Sequence, residues 1–374
     1  MDIDFMPMEK EIENLKLSVN ISDKPIFLPN RPSSATCAFA VFCCILFIII
    51  GCLGNFLTIV ALARCKKLRN ATTAFVVSLA SADFLFCAFC LPLTATRYIY
   101  KEWILGDELC ALFPFFFYGN VAASLMSMTA ITFNRFVLIN CYPIYNKIYK
   151  KWNVGAMVIF CWAFSYLILV PTLAGYWGRF GYNDTSFSCT ILKTEGKSPR
   201  KFLFSFAFLL PTITIVVCYS CIFYKVRSTS MKVLSHLNSD ASKRNSRLLP
   251  RRKEDLKVTL TMLACFCTFQ ICFLPLMIVN VFEESIRYPV IHTMASILAW
   301  MSACSNPFIY VLLNKHYREA YFHLLITWGL LKGVDQNTSC DGASAASRIT
   351  NLRSASAENT KSQDELNASR DLEV

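Results

Sequence analysis

Histidine and charge are what this chain has least of. Its four histidines among 374 residues are His236, His292, His316 and His323. None falls with acids or cysteines at catalytic or metal-ligating spacing. An integral-membrane enzyme therefore has no cluster to work with, and the chain reads as a non-enzyme. Charged residues make up only 17%, against 55% hydrophobic, and the mean hydropathy is +0.43. That balance excludes an ordinary soluble domain. The first 30 residues are polar and acidic and lack the apolar core of a cleavable leader. The first apolar run is thus expected to direct insertion itself. No internal repeat relates two halves of the chain, which speaks against the rival reading of a seven-span transporter or channel. No CxxC pair suggests a zinc site.

What the chain does have is seven apolar runs, each of at least about 20 residues, the length that spans a bilayer. They are Thr36–Ala63, Thr72–Leu93, Leu109–Ile139, Val154–Ala174, Phe202–Tyr224, Val258–Phe282 and Val290–Leu313. The expected fold is all-α: a seven-helix transmembrane bundle. Prolines at 92, 171, 211, 275 and 307 interrupt the runs, and a packed bundle tolerates such kinks. The third run organises the rest. From Cys110 to Arg135 a helix covers roughly 37 Å, more than the roughly 30 Å hydrocarbon core. Cys110 is therefore expected at one aqueous face and Arg135 at the other, since an arginine is costly at mid-membrane.

The net charge of +12 is unevenly placed. Residues 1–35 carry six acids and four bases. The first link holds Arg64, Lys66, Lys67 and Arg69, and the third holds Lys147, Lys150 and Lys151. The stretch Lys225–Lys257 holds ten bases and three acids. Basic links mark the cytoplasmic side. The N-terminus is expected outside and the C-terminus inside a plasma membrane crossed many times. Orientation alone accounts for these charges, and loops fixed at a membrane make nucleic acid an implausible partner. Three segments follow: 1–35 as an outer tail, 36–325 as the membrane domain, and 326–374 as a disordered inner tail.

Most of the 18 cysteines lie inside apolar runs, where they act as packing residues. Cys110 and Cys189 fall at the expected outer face, where disulfides persist. Asn20 and Asn183 head glycosylation sequons on that side. Asp83 is a carboxylate at about mid-span and thus a functional candidate. A protonated Asp serving a helix-packing hydrogen bond is the plainer alternative. Asn120, Ser124, Ser302, Ser305 and Asn306 could ring a water or a hard cation such as sodium near it. Asn55 should face the bundle. Pro275 and Pro307 kink two helices that could swing as levers. Lys315–Leu325 reads as an amphipathic helix on the inner membrane face, touching membrane lipids. At the C-terminus, Leu372 and the free carboxylate of Val374 could add as a strand to a PDZ domain. An unbound end is the alternative there.

Taken in order, Gly54-Asn55, Leu79-Ala80-Ser81-Ala82-Asp83, Cys110, Asn134-Arg135-Phe136, Trp162, Pro211 with Tyr219, Phe273-Leu274-Pro275 and Asn306-Pro307-Phe308-Ile309-Tyr310 place one motif in each run. This set resembles the rhodopsin-like (class A) G-protein-coupled receptors over residues 36–325. The triplet at 134–136 departs from the usual Asp-Arg-Tyr, and Phe273 replaces the usual tryptophan. Asn134 with the stretch Cys272–Asn280 resembles the branch holding the arthropod Moody and Trapped-in-endoderm receptors, with melatonin receptors as neighbours.

The resemblance implies partners and roles. A heterotrimeric G protein, of the Gi/o class by analogy, would meet Arg135 after the sixth helix swings out. Asp255 would pair with Arg135 at rest, and Tyr219 and Tyr310 would close over it in the active state. Asp83, Ser124, Ser302 and Asn306 would form a sodium pocket, with no other cofactor. Cys110 would bond to Cys189. Arrestin and receptor kinases would act on the tail. Amine receptors carry an aspartate where this chain has Phe117, and opsins carry a lysine where it has Trp300, so amines and retinal are not expected. The candidate ligand pocket is aromatic: Phe113, Phe117, Tyr118, Phe273 and Trp300, with Arg97 and Arg179 near its mouth. A packed core would use the same aromatic stripe. A lipid-like molecule, a small amphipathic acid and a peptide all stay open as ligands.

Overall fold

Ser33 starts the first helix by accepting the Thr36 N–H at 3.1 Å, and Asn70 starts the second in the same way from Thr73. These caps satisfy N–H groups that a helix start leaves without intrahelical partners. In the computed structural model the described residues are 32–329, apart from 185–186, 195, 197, 236–247 and 283–287. The sequon at Asn20 and the inner tail from residue 330 to Val374 lie outside them.

Among the described residues, seven helices are long and apolar enough to cross a membrane: Ser34–Arg64, Ala71–Tyr100, Asp107–Asn140, Lys151–Leu173, Arg200–Thr229, Glu254–Phe282 and Pro289–Leu313. Their outer surface carries exposed Phe42, Leu53, Ile159, Ile213 and Ile271, an apolar belt no soluble monomer shows. The third span runs through the middle, touching the second, fourth, fifth and sixth. Gly119 lets the fourth span approach it, since a Cβ there would stand 2.4 Å from the Tyr166 ring.

Several boundaries differ from the apolar runs. The second run stops at Leu93, yet its helix continues to Tyr100. Thr94 and Thr96 dilute the hydropathy but donate to the carbonyls of Cys90 and Leu93, so the helix satisfies them itself. That span also holds a wide π turn over Phe86–Cys90, followed by Pro92. Proline clashes with the carbonyl one turn back, and a wider turn relieves this. The fifth and sixth helices extend to Ser235 and back to Leu248. Hydropathy reads only the part meant for lipid, while a helix already nucleated propagates readily through Lys and Arg.

After the fourth span the chain forms a hairpin. Strand β1, Arg179–Asn183, pairs antiparallel with β2, Ser188–Leu192, with Tyr182 opposite Cys189. Cys189 is bonded to Cys110 at the start of the third span, which ties the hairpin over one end of the bundle. We call this the disulfide end and the opposite one the arginine end. Two apolar cores occupy these ends: one around Phe86, Phe113 and Trp300, the other around Leu79, Leu125, Phe269 and Tyr310. At the arginine end the short helix Lys315–Thr327 is capped by Asn314. It buries Tyr317, Ala320, Tyr321 and Leu324, one stripe at helical spacing. The Tyr321 hydroxyl bonds to Thr58 of the first span.

Candidate functional site

Arg135 closes the third span at the arginine end, 4% exposed. Its Nη1 lies 3.8 Å from Asp255 Oδ1 on the sixth helix, within ion-pair reach but beyond hydrogen-bonding distance. Its Nε is buried with no hydrogen-bond partner. Asp255's side chain is 39% exposed, so this pair contributes about 1 kcal/mol or less. Asn134 is fully buried and points elsewhere. Its Oδ1 accepts from Thr72 at 2.6 Å, and its Nδ2 donates to the Tyr145 hydroxyl at 3.2 Å on the helix Tyr142–Ile148. Phe136 packs against the cluster of Ile215, Tyr219, Ile222 and Phe266. The hydroxyls of Tyr219 and Tyr310 are buried without hydrogen-bond partners. Tyr310 meets Tyr317 edge-on at 5.5 Å. Burial pushes the Tyr317 phenol up, while Arg135 and Thr73 pull it the other way.

Midway along the bundle Asp83 is 3% exposed. Its Oδ1 accepts from Ser124 and its Oδ2 from Asn306 Nδ2, both at 2.8 Å. The second, third and seventh spans thus meet on one carboxylate. Ser302 does not share in this arrangement, for its hydroxyl donates to Ala299 one turn back on its own helix. Ser305 and Asn120 likewise bond to their own helices. A short side chain with a helix carbonyl in reach takes that local acceptor first. The carboxylate and the Ser124 hydroxyl are the hard oxygens a sodium ion would take, whereas Asn306 presents N–H. Asn55 ties the first span to the seventh, donating to Gly51 and Ala303 carbonyls at 2.9 and 2.8 Å.

At the disulfide end a cavity opens beneath the hairpin, with about 1060 Å³ of empty space counting what opens to solvent. Of the expected pocket residues, Arg97, Phe113, Phe117, Tyr118 and Trp300 line it. Two do not. Arg179 stands exposed at the start of β1, carried away from the mouth by the hairpin. Phe273, three residues before the cavity-lining Leu276, is buried in the adjoining core and stacked on Phe269 at 4.4 Å. In their place come Arg200, Asn280 and His292. Arg200 Nη2 donates to Asn280 Oδ1, which joins the fifth span to the sixth. The signal in the sequence was positional: all three are polar residues at the outer limits of apolar runs. Asn183 lines the cavity and is half-buried, a position that argues against a glycan there.

The chain belongs to the rhodopsin family of seven-transmembrane receptors, whose pattern matches residues 54–310. It is a seven-span membrane protein of the G-protein-coupled receptor class. Within that family it is 44% identical to "Protein trapped in endoderm-1" of Drosophila melanogaster, over 80% of each chain. It is 34% identical to "G-protein coupled receptor moody" of the same species, over 77% of this chain and 51% of that one. The human "Melatonin receptor type 1B" is 30% identical over 82% of each. Among solved structures, squid rhodopsin superposes with a TM-score of 0.70 at 21% identity, over 83% of this chain and 91% of that one. That likeness carries the fold alone.

Proposed function

We propose that this receptor binds an extracellular ligand in the cavity at the disulfide end. Bound ligand would drive the sixth helix outward and let a heterotrimeric G protein, of the Gi/o class, engage Arg135. The observation that carries the reading is Arg135 itself. A permanent charge is held 4% exposed at the end of the third span, with only a long contact to the sixth helix. Moving that helix removes the contact and exposes five N–H donors in a cleft between helices. The basic links lie at the arginine end, which we therefore place in the cytoplasm, with the N-terminus and hairpin outside a plasma membrane. The test is nucleotide exchange on purified Gi, Gs and Gq with and without the protein. Exchange confined to Gi supports the assignment, and no exchange on any of them refutes it.

The same reading assigns a sodium ion to Asp83 with Ser124 at rest, without Ser302. It assigns arrestin and receptor kinases to the inner tail, a glycan to Asn20 and a PDZ domain to Val374.

A further inference from the structure

The first span carries an exposed apolar stripe. Phe42, Ile45, Ile49, Leu53 and Phe56 follow one another at steps of three and four and are all exposed, so they share one face. Two further steps of four reach Val60 and then Arg64, the last residue of the helix. From Arg64 back to Ile49 the helix descends roughly 22 Å, more than the roughly 15 Å depth of one leaflet. At Arg64 the stripe meets a notch between the first span and the helix Lys315–Thr327, with about 460 Å³ of empty space counting what opens to solvent. Its floor is buried and apolar, made by Ala61, Cys65, Ala320 and Leu324. Arg64 and His323 also line it. Neither of these two side chains has a hydrogen-bond or ion-pair partner among the described residues. No Asp or Glu stands among the described lining residues. Glu319, one turn before His323, is held by Lys315 and His316, each 3.7 Å away. Trp328 stacks on Phe56 of the stripe with ring centroids 6.5 Å apart, a place typical of tryptophan at a membrane–water boundary.

We propose that this notch binds one anionic phospholipid. Its phosphate sits on Arg64 and His323, and one acyl chain lies along the stripe of the first span. A guanidinium offers a fork of N–H donors that fits phosphate oxygens, and an imidazole donates an N–H in either protonation state. An arginine that only reached for water at a helix end would have no use for a recess with an apolar floor beside it. A zwitterionic head would bring an ammonium group to a notch whose described lining holds no acid, so a head of net negative charge is preferred. Lys66 and Lys67 follow in the same link and add to the local attraction for such a head. The lipid then joins the first span to the helix Lys315–Thr327, a seam that Thr58–Tyr321 and Phe56–Trp328 already hold from the protein side. This needs only a membrane surface at the arginine end and is independent of the signalling role.

The test uses full-length protein in nanodiscs of phosphatidylcholine, without G protein. Traces of two photoactivatable probes with identical chains, a phosphatidylglycerol and a phosphatidylcholine, are added in separate samples. Labelled peptides are then mapped by mass spectrometry. The phosphatidylglycerol probe should label the peptides holding Phe56–Arg64 and Ala320–Thr327 at least about fivefold more than the phosphatidylcholine probe, the worth of about one charge contact at an anionic surface. Arg64→Gln should lower that preference several-fold, and Arg64→Gln with His323→Gln should erase it. Arg64→Lys should keep most of it. Arg69→Gln should leave it unchanged, because that side chain donates to the Ala63 carbonyl and does not line the notch. Glycerol 3-phosphate in the buffer should compete only far above the lipid, which separates a lipid headgroup from free phosphate. Equal labelling by the two probes overturns the proposal, as does label spread evenly over the seven spans. So do an Arg64→Gln variant that labels like wild type, an Arg69→Gln variant that loses as much as Arg64→Gln, and glycerol 3-phosphate that competes as well as the lipid. Unfolding midpoints of the variants should stay near wild type, since Arg64 is exposed.

Discussion

At the scale of single residues, Asn134 changes what its neighbour can do. A carboxylate at this position would sit next to Arg135 and restrain it, whereas the amide bonds Thr72 and Tyr145 and leaves Arg135 a long contact to Asp255. Asn134→Asp should accept from both hydroxyls as well and add one charge. It is expected to lower ligand-independent nucleotide exchange roughly fivefold, the worth of about 1 kcal/mol, at matched receptor levels. Arg135→Ala should abolish exchange while surface amounts stay near wild type, because the residue lies at the end of the packed span. Full coupling by that variant would show that the arginine merely anchors the helix. At Asp83, replacing the carboxylate with an amide (Asp83→Asn) removes the full charge that would hold sodium. Ligand affinity of the variant should no longer respond to replacing sodium with a large organic cation, whereas wild type should respond. These three residues were legible in the sequence because each is a polar group in an apolar run. Their partners were legible only in part. The link of Asp83 to Ser124 and Asn306 follows from three spans sharing one depth. Ser302 shares that depth too, and only the structure shows that its hydroxyl turns back on its own helix.

At the scale of elements, the contacts of the sixth helix at the arginine end include Arg135–Asp255 and His316–Glu254, each 3.8 Å, the second an ion pair only when His316 is protonated. Asp255→Ala should therefore raise basal exchange by a few-fold without altering expression. Unchanged basal exchange would mean that packing around Phe266 and Phe269, not charge, holds the helix in place. At the other end the hairpin is tied by Cys110–Cys189 and by the Tyr118–Thr190 bond at 3.0 Å. Cys110→Ser should lower surface expression, counted by antibody labelling of intact cells. The helices themselves were readable because lipid demands about 20 apolar residues of each. The hairpin was not. Its two strands are five residues each, too short for their alternation to stand out, and the disulfide acts with the buried Phe180–Ile191 face to fix their place. The displacement of Arg179 from the cavity follows from that hairpin.

At the scale of the whole molecule, charge sets direction and apolar surface sets the environment. With basic links at the arginine end, an epitope fused before residue 32 should be labelled on intact cells, and one fused after residue 329 only after permeabilisation. The reverse pattern would invert the orientation. The order of the seven motifs made the family readable before any geometry was known. Cavity residues were less so, since a pocket is made by several chain segments at once. The π turn at Phe86–Cys90 shows how this matters beyond one protein. One extra residue in a turn rotates everything beyond it by roughly 100°. Arg97, seven residues past the turn, lines the cavity in the register that the turn sets. A relative whose second span lacks the wide turn would place a different neighbour there. Ligand-contact positions copied along an ungapped alignment past Pro92 would then be wrong by one, even where every letter between the motifs agrees.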